Sequence, residues 1–252
     1  MKKDSAVGTV IITGAASGIG EATALLFASN GTNVIVSDID EGKGNAITEK
    51  IKSSGGNAIF VKTDVSDPAQ CKSLVEAGVQ AFGSIEYCFN NAGISGESNP
   101  VGDMSIEGWN KMIATNLSSV FYCMKYQIQQ MMKQGGGAIV NNSSILGSVG
   151  FADASAYVAA KHGVVGLTQA AAIEYSRSGI RIYAIGPGFI NTPLLGKAGM
   201  DDSAKKGLVP LHPIGRLGES KEVAELVFWL CSNKASFITG SYYPVDGGYL
   251  AQ

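Results

Sequence analysis

The 252-residue chain has few of the residues that build metal centres or disulfide frameworks. It contains two histidines and four cysteines, and the cysteines are scattered at positions 71, 88, 123 and 231. A catalytic zinc needs a cluster of such ligands, and a disulfide framework needs dense, regularly spaced cysteines. The sequence therefore predicts no metal centre, and it predicts reduced, mostly buried thiols in a cytoplasmic protein.

Charge and long apolar runs are also scarce. Charged residues make up 16% of the chain and the net charge is −2, which gives no electrostatic reason to expect a nucleic-acid or anionic-membrane partner. No segment approaches the roughly 20 apolar residues that span a bilayer, and the first residues do not resemble a secretory signal. With 45% hydrophobic residues, residues 1–252 are expected to form one well-packed domain.

What the sequence does contain is a regular alternation of short apolar runs with longer helical stretches. The predicted strands are 7–12, 33–37, 57–62, 86–89, 138–142, 180–185 and about 238–245. The predicted helices are 18–30, 41–54, 67–82, 105–133, 153–177 and 219–231. Nearly all-apolar strands between helices predict a doubly wound α/β domain, in which helices cover both faces of a parallel sheet. The one long irregular stretch, about 186–218, predicts a substrate lid.

A glycine-rich turn follows the first predicted strand. Gly14, Gly18 and Gly20 open the first helix, where missing side chains let a pyrophosphate approach the free N–H groups. Their spacing differs from the commoner G-x-G-x-x-G, so plain turn glycines remain an alternative. Asp38 ends the second strand, 18 residues after Gly20, where a carboxylate can bind both ribose hydroxyls of an adenosine.

The carboxylate of Asp38 favours NAD over NADP. It would repel a 2′-phosphate by about 1–4 kcal/mol at a separation of roughly 4 Å. No Arg or Lys occupies positions 15–19 or 36–40 to offset this repulsion. The alternative interpretation of Asp38 is an aspartate that only stabilises the turn after the strand.

Tyr157 and Lys161 are spaced to share one face of a helix. A cation beside the phenol is expected to lower its pKa, which makes tyrosine a usable proton donor and acceptor near neutral pH. Ser144 lies 13 residues before Tyr157, at the end of an apolar run. Its hydroxyl could donate a hydrogen bond to a substrate oxygen and stabilise charge that develops there.

Together these motifs resemble those of the short-chain dehydrogenase/reductase family, over essentially the whole chain. The matching residues, in order, are Thr13-Gly14-x-x-x-Gly18-x-Gly20, Asp64-Val65, Asn90-Asn91-Ala92-Gly93, Asn116, Ser144, Tyr157-x-x-x-Lys161, and Pro187-Gly188 leading to Thr192. The resemblance implies a Rossmann-type sheet of seven parallel strands in the order 3-2-1-4-5-6-7. It also implies an NAD cofactor.

The family resemblance assigns the cofactor contacts in groups. Asp64 and Val65 are expected near the adenine, residues 91–93 beside the adenosine ribose, and Ile190 and Thr192 at the nicotinamide carboxamide. The full predicted set is Gly14, Ser17, Gly18, Ile19, Gly20, Asp38, Asp64, Val65, Asn91, Ala92, Gly93, Tyr157, Lys161, Pro187, Gly188, Ile190 and Thr192.

Four residues are predicted to be catalytic: Asn116, Ser144, Tyr157 and Lys161. Tyr157 would be the acid in ketone reduction and the base in alcohol oxidation. In the family Asn116 holds a water beside the lysine, although a buried helical asparagine more often binds backbone. Apolar lid residues are expected to contact the substrate, with simple packing of the loop as the alternative: Phe189, Leu194, Leu195 and Met200. For His212, a role within the lid is favoured over substrate contact.

The sequence predicts an NAD(H)-dependent oxidoreductase that interconverts a small, mainly apolar secondary alcohol and its ketone by hydride transfer. The alternatives are a 3-oxoacyl-carrier-protein reductase, a sugar or steroid dehydrogenase, and a non-catalytic nucleotide-sensing protein. The resemblance implies a homotetramer that associates through the helices at 105–133 and 153–177. The C-terminal residues are similar to those of secondary-alcohol dehydrogenases in the family, some of which bind a structural Mg²⁺ there. The sequence leaves open this metal, the physiological substrate, its stereochemistry and the preferred direction.

Overall fold

The computed structural model describes residues 8–197 and 201–252. Its sheet has seven parallel strands in the order β3-β2-β1-β4-β5-β6-β7. The strands are β1 (Thr9–Thr13), β2 (Asn33–Asp38), β3 (Ala58–Lys62), β4 (Tyr87–Asn90), β5 (Gly137–Asn142), β6 (Ile180–Pro187) and β7 (Tyr242–Val245). The predicted fold class, a Rossmann-type doubly wound sheet, is confirmed.

Nine α-helices accompany the strands within the described residues. They are α1 (Gly18–Ser29), α2 (Glu41–Ser53), α3 (Pro68–Phe82), α4 (Ile106–Ile113), α5 (Ser119–Gln134), α6 (Ser155–Tyr175), α7 (Pro193–Lys197), α8 (Asp202–Leu208) and α9 (Ser220–Cys231). Several begin at side chains that cap the free N–H groups of the first turn. Asp40, for example, accepts a hydrogen bond from Lys43 N at the start of α2.

Alternate residues of each strand face opposite sides of the sheet, so the molecule has two core layers. On β1, Val10 and Ile12 pack in one layer with Phe27 of α1 and Val227 of α9. Ile11 packs in the other layer, which contains side chains of α3, α5 and α6. Both faces of the strands are apolar because helices cover both faces, as the sequence pattern predicted.

The strand order reverses between β1 and β4, which are neighbours in the sheet although β2 and β3 separate them in the chain. The loops after these two strands therefore leave the sheet in opposite directions and open a crevice between them. In doubly wound folds this crevice, at the carboxyl ends of the strands, is where ligands bind. It is the place where the predicted site residues converge.

Two segments differ from their predictions in detail. The predicted helix at 105–133 is divided into α4 and α5 by a π-helical turn, Ala114–Ser118, which hydrophobic periodicity does not reveal. The lid, predicted as irregular, contains α7, α8 and the 3₁₀ turn Val209–Leu211. Its helices are too short to produce a clear helical period in the sequence.

Two glycines of α2 offer a matched test of packing beneath the sheet edge. A Cβ at the buried Gly44 would lie 2.0 Å from the Phe60 ring, whereas one at the exposed Gly42 would lie 3.7 Å from its nearest neighbour. We expect Gly44→Ala to lower the free energy of unfolding by about 1–3 kcal/mol through overpacking. Gly42→Ala should leave it unchanged or raise it by up to about 1 kcal/mol, because alanine favours helix. Chemical denaturation would measure both, and equal values would show that the ring moves aside freely.

Candidate active site

A cleft of about 450 Å³ opens at the carboxyl edge of the sheet. Most of the predicted site residues lie in its wall: Gly14, Ser17, Gly18, Ile19, Asp38, Asp64, Val65, Asn91, Ala92, Gly93, Asn116, Tyr157, Lys161, Thr192 and Leu194. They come from α1, α6, α7, the π-helical turn, the end of β2 and the loops after β1, β3, β4 and β6, and the crevice between β1 and β4 brings them together. The cleft is thus continuous from the glycine turn to the Tyr157–Lys161 pair.

The glycine turn has the shape that a pyrophosphate requires. Gly14 has φ +63°, a left-handed conformation that favours glycine. A Cβ at Gly20 would lie 2.1 Å from the carbonyl oxygen of Gly14, so the helix can approach the turn this closely only without a side chain. The N-terminus of α1 therefore lies open to the cleft, and its free N–H groups suit a phosphate anion.

Asp38 is held in a fixed orientation at the end of β2. Its Oδ2 accepts a hydrogen bond from Ala16 N at 3.0 Å, and its Oδ1 accepts one from Asp40 N at 3.0 Å. Each carboxylate oxygen keeps further lone pairs that can accept from a ligand hydroxyl. The geometry of Asp38 fits a ribose diol, and its charge does not fit a phosphate.

A chain of hydrogen bonds joins the turn after β1 to the end of β5. Asn91 Nδ2 donates to the carbonyl oxygens of Thr13 and Gly14, at 2.9 and 3.2 Å. Asn91 Oδ1 then accepts from Asn142 Nδ2 at 2.9 Å, and the backbone carbonyl of Asn142 accepts from Lys161 Nζ at 2.7 Å. The lysine is thereby positioned relative to the glycine turn.

Sequence reasoning did not identify Asn142. It lines the cleft, and its Oδ1 is buried without a hydrogen-bond partner in the structure. The available signal was its position, because it is the last residue of β5 and lies at the same carboxyl edge as the other site residues.

Tyr157 and Lys161 lie in the wall of the cleft, and Ser144 lies next to Tyr157 just outside that wall. A hydrogen bond joins the side chains of Tyr157 and Ser144, and Lys161 Nζ lies 5.4 Å from the centre of the Tyr157 ring. Ser144 is itself held in place, because its Oγ accepts from Leu146 N and its carbonyl oxygen accepts from Tyr242 Oη. The structure thus brings three of the four predicted catalytic residues together: Ser144 contacts Tyr157, and Lys161 lies near the Tyr157 ring.

The pKa values of the pair differ from the sequence-based expectation. Burial raises the pKa of the Tyr157 phenol, and the hydrogen bond with Ser144 opposes that rise. Burial also lowers the pKa of Lys161 to about 8, because loss of water disfavours the charged ammonium. The pKa of the phenol therefore moves in the direction opposite to the expected one, because burial outweighs any effect of an ammonium that faces the ring and Asn142.

Asn116 lies in the π-helical turn and is 1% exposed. Its Oδ1 accepts from Ile94 N at 2.9 Å, and its Nδ2 donates to Ile94 O at 2.8 Å. These two bonds attach the helix to the loop after β4, which agrees with the alternative that a buried helical asparagine binds backbone. The same side chain lines the cleft, so its predicted role beside the lysine stays a prediction.

Other predicted residues lie outside the wall of this cleft. Gly188, Phe189 and Ile190 line a second cavity, of about 290 Å³, together with His212 and Asp246. Gly20 packs under the glycine turn, and Ser144, Pro187 and Leu195 are in neither wall. Met200 lies outside the described residues. Of the four predicted substrate contacts, Leu194 alone lines the main cleft within the part of the lid that the structure describes.

Comparison with known proteins shows the family to which this chain belongs. The family model described as enoyl-(acyl carrier protein) reductase matches residues 14–250. The chain is also 48% identical, over 242 residues, to a cyclohexanol dehydrogenase from Acinetobacter sp. (strain SE19), with 96% of this chain and 94% of that protein covered. The chain belongs to the short-chain dehydrogenase/reductase family.

Two further proteins resemble this short-chain dehydrogenase/reductase closely. A cis-4-hydroxycyclohexanecarboxylate dehydrogenase from Sinomonas cyclohexanicum is 42% identical over 241 residues, with 96% of each chain covered. The crystal structure of a levodione reductase superposes with a TM-score of 0.94 at 36% identity, over 98% of each chain. The resemblance inferred from the sequence motifs is confirmed.

Two kinds of feature are absent from the part of this dehydrogenase/reductase that the structure describes. Among residues 8–197 and 201–252, no group of three or more His, Cys, Asp or Glu side chains is arranged to hold a metal ion. Within the same ranges, no helix is both long enough and apolar enough to cross a membrane.

The buried lysine should make stability depend on pH. Its folded pKa of about 8 lies below the ordinary 10.5, so between these values the unfolded chain holds a proton that the folded protein has released. Stability contributed by Lys161 therefore rises with pH in this window. We expect the free energy of unfolding of the wild type, relative to Lys161→Met, to increase by about 2 kcal/mol from pH 7 to pH 10. Denaturation at several pH values would measure it.

The matched control is the exposed Lys133 on α5. The same comparison with Lys133→Met should show a much smaller change over the same pH range. If the difference in free energy of unfolding between the wild type and Lys161→Met did not change with pH, water would reach the ammonium in solution.

Proposed function

We propose that this short-chain dehydrogenase/reductase interconverts a small, mainly apolar secondary alcohol and its ketone with NAD(H), using Tyr157 as acid and base. The observation that carries the proposal is that Tyr157 and Lys161 lie in the same cleft as the glycine turn and Asp38. The lysine ammonium lies against the Tyr157 ring, and Ser144 is hydrogen-bonded to Tyr157. The names of two relatives, which refer to cyclohexanol and to a hydroxycyclohexanecarboxylate, support a ring alcohol as the substrate class.

Asp38 supports NAD as the cofactor. Both of its oxygens are oriented by backbone N–H groups, so its acceptor lone pairs are already placed for ribose hydroxyls. A 2′-phosphate would bring negative charge against the carboxylate, at a cost of about 1–4 kcal/mol at contact distance. Thr63, Asp64 and Val65 line the neighbouring wall, where the predicted adenine site lies.

Tyr157 is placed to move the proton. When bound, the nicotinamide supplies a hydride to the ketone or accepts one from the alcohol. The Tyr157 hydroxyl would protonate the oxygen that gains negative charge during reduction, and the phenolate would accept that proton during oxidation. Ser144 shares a hydrogen bond with this hydroxyl and could donate to the same substrate oxygen, which stabilises the charge as it develops.

Lys161 and its partners would hold the cofactor and favour the phenolate. The ammonium is buried, at 3% exposure, so its electrostatic effect on the phenol is weakly screened. An oxidised nicotinamide adds a second positive charge and acts in the same direction on the pKa of Tyr157. The buried Asn142 Oδ1 and the side chain of Asn116 lie in the same wall and could hold a ribose hydroxyl or a water.

The apolar side chain of Leu194 supports a mainly apolar substrate. It belongs to α7 of the lid and lines the main cleft. Apolar surface contributes about 25 cal/mol per Å² buried, and one methylene discriminates by only about 1–3 kcal/mol. Broad tolerance among small ring ketones is therefore expected.

We also propose that the chain is a single cytoplasmic domain that assembles as a homotetramer. The helices predicted to associate carry exposed apolar side chains: Ile106, Trp109, Phe121, Met132 and Ile173. Burying such side chains against a second copy of the chain would favour assembly, because it removes apolar surface from water. Sedimentation velocity at micromolar concentration would measure the assembly.

The cofactor assignment predicts that NADH supports turnover with a kcat/KM at least about 100-fold above that of NADPH. Asp38→Asn keeps the side-chain shape and one acceptor but removes the charge. It should raise KM for NADH, because the contact is made largely in the ground state. It should also lower the ratio of kcat/KM with NADH to kcat/KM with NADPH to less than about 10-fold. Steady-state kinetics with both cofactors would measure the ratio. Equal kcat/KM values in the wild type would contradict the assignment.

The proposed reaction predicts that cyclohexanone and similar neutral ring ketones oxidise NADH in the presence of the enzyme. Tyr157→Phe keeps the ring and removes the proton, so turnover should fall by about 10²–10⁴-fold while NADH still binds. Absorbance at the NADH band would follow the reaction, and quenching of tryptophan fluorescence would follow binding. Substantial turnover by Tyr157→Phe at any pH would show that another group moves the proton.

An anionic ring ketone, 4-oxocyclohexanecarboxylate, is the matched control for the substrate class. It has the same ring and adds one charge, so the ratio of the two kcat/KM values isolates the effect of that charge. A higher kcat/KM for the neutral ketone would agree with an apolar substrate pocket. A higher kcat/KM for the anionic ketone would contradict the proposed apolar pocket and indicate a cationic side chain in the substrate site.

A further inference from the structure

His212 is a buried histidine of the lid, and each of its two ring nitrogens has a hydrogen-bond partner. It is 3% exposed and lies directly after the 3₁₀ turn Val209–Leu211. Its Nε2 is 3.2 Å from the backbone N of Phe189, and its Nδ1 is 3.0 Å from the carbonyl oxygen of Leu208. An N–H can only donate and a carbonyl can only accept, so Nε2 bears the lone pair and Nδ1 bears the proton. The ring is therefore the neutral Nδ1–H tautomer.

The imidazole joins two segments that no strand or helix connects directly. Leu208 is the last residue of α8, the second helix of the lid. Phe189 belongs to the loop after β6, which continues to Thr192 in the wall of the cofactor cleft. A displacement of α8 would therefore pull on the backbone that leads to the cleft.

The other hydrogen bonds of this loop come from backbone groups. Gly188 N donates to Val245 O at 3.0 Å, and Asn191 N donates to Gly218 O at 2.8 Å. Between them, Phe189 N donates to the imidazole. The Phe189 amide is thus the point at which a side chain of the lid replaces a backbone acceptor.

The ring also fits tightly in its surroundings. It packs edge-on against the Phe189 ring, with centroids 5.7 Å apart, and lies 5.7 Å from the Tyr249 ring. A Cβ at Gly188 would lie 3.0 Å from His212 Nε2. The imidazole consequently has little freedom to turn, and its two nitrogens keep their assigned partners.

We propose that His212 is a positioning residue that couples the lid helix to the loop carrying Phe189 and Thr192. Its neutral ring holds the Phe189 amide from one nitrogen and the end of α8 from the other. The lid and the rim of the cleft are thus held in one arrangement, which lowers KM for the ketone. The kinetic part of this inference rests on the proposed function, whereas the structural part does not.

Glutamine and asparagine provide a matched pair of variants. In His212→Gln the side-chain oxygen can reach the position of Nε2 and accept from the Phe189 amide. In His212→Asn the side-chain nitrogen can take the position of Nδ1 and donate to Leu208 O, but nothing reaches the amide. The two variants differ in which of the two hydrogen bonds they keep, and both remove the aromatic ring.

Hydrogen–deuterium exchange read by mass spectrometry would test the coupling directly, on the protein alone. A peptide that covers residues 188–192 should take up deuterium at least about 10-fold faster in His212→Asn than in the wild type. In His212→Gln the rate should remain within about 3-fold of the wild type. Equal rates in the two variants would overturn the proposal, since a purely packing role of the ring predicts equal effects.

The kinetic arm uses cyclohexanone and NADH. We expect His212→Asn to raise KM for the ketone by about 5–20-fold with less than a 3-fold change in kcat, and His212→Gln to restore most of the loss. An unchanged KM in His212→Asn would overturn the link from the loop to the substrate. If the wild type reduced no ketone, the proposed function would fail, while the exchange experiment would still decide the coupling.

Discussion

The site depends on one run of hydrogen bonds along the carboxyl edge of the sheet. Asn91 binds the carbonyls of Thr13 and Gly14, Asn142 binds Asn91, and Lys161 binds Asn142. Because Thr13, Asn91 and Asn142 lie at the ends of three adjacent strands, and Lys161 lies on α6 beside them, the parallel sheet sets their spacing. The glycine turn and the Tyr157–Lys161 pair are therefore linked along one edge of the sheet by hydrogen bonds.

Much of the fold could be predicted because it follows from local pattern. Seven apolar runs correspond to the seven strands, and the helices between them were placed within a few residues. The π turn at Ala114–Ser118 was missed because it adds one residue to a helix whose apolar pattern hardly changes. The lid helices were missed because α7 and α8 have five and seven residues, which is too few for a helical period to emerge.

The candidate site could be predicted where a residue type has a distinctive chemistry at a distinctive position, as with Asp38 and the Tyr157–Lys161 pair. Asn142 could not, because its partner Asn91 lies 51 residues away in the chain. For His212 the sequence predicted a role within the lid, but not its partner Phe189, which lies 23 residues away. The pKa of Tyr157 was predicted in the wrong direction for a related reason. Burial raises the pKa of the phenol, and the spacing of a tyrosine and a lysine reveals neither that burial nor whether the ammonium faces the hydroxyl or the ring.

The π turn also restricts how the chain can vary in length. Each residue added to or removed from a helix rotates everything after it by about 100°. Asn116 lies within the wide turn and binds both backbone groups of Ile94, so loss of one residue there would restore a regular helix and turn the asparagine away from that loop. Viable insertions and deletions between α4 and α5 should therefore be rare, although both helices lie partly at the surface. The π-helical turn therefore fixes the number of residues that the chain can have between α4 and α5.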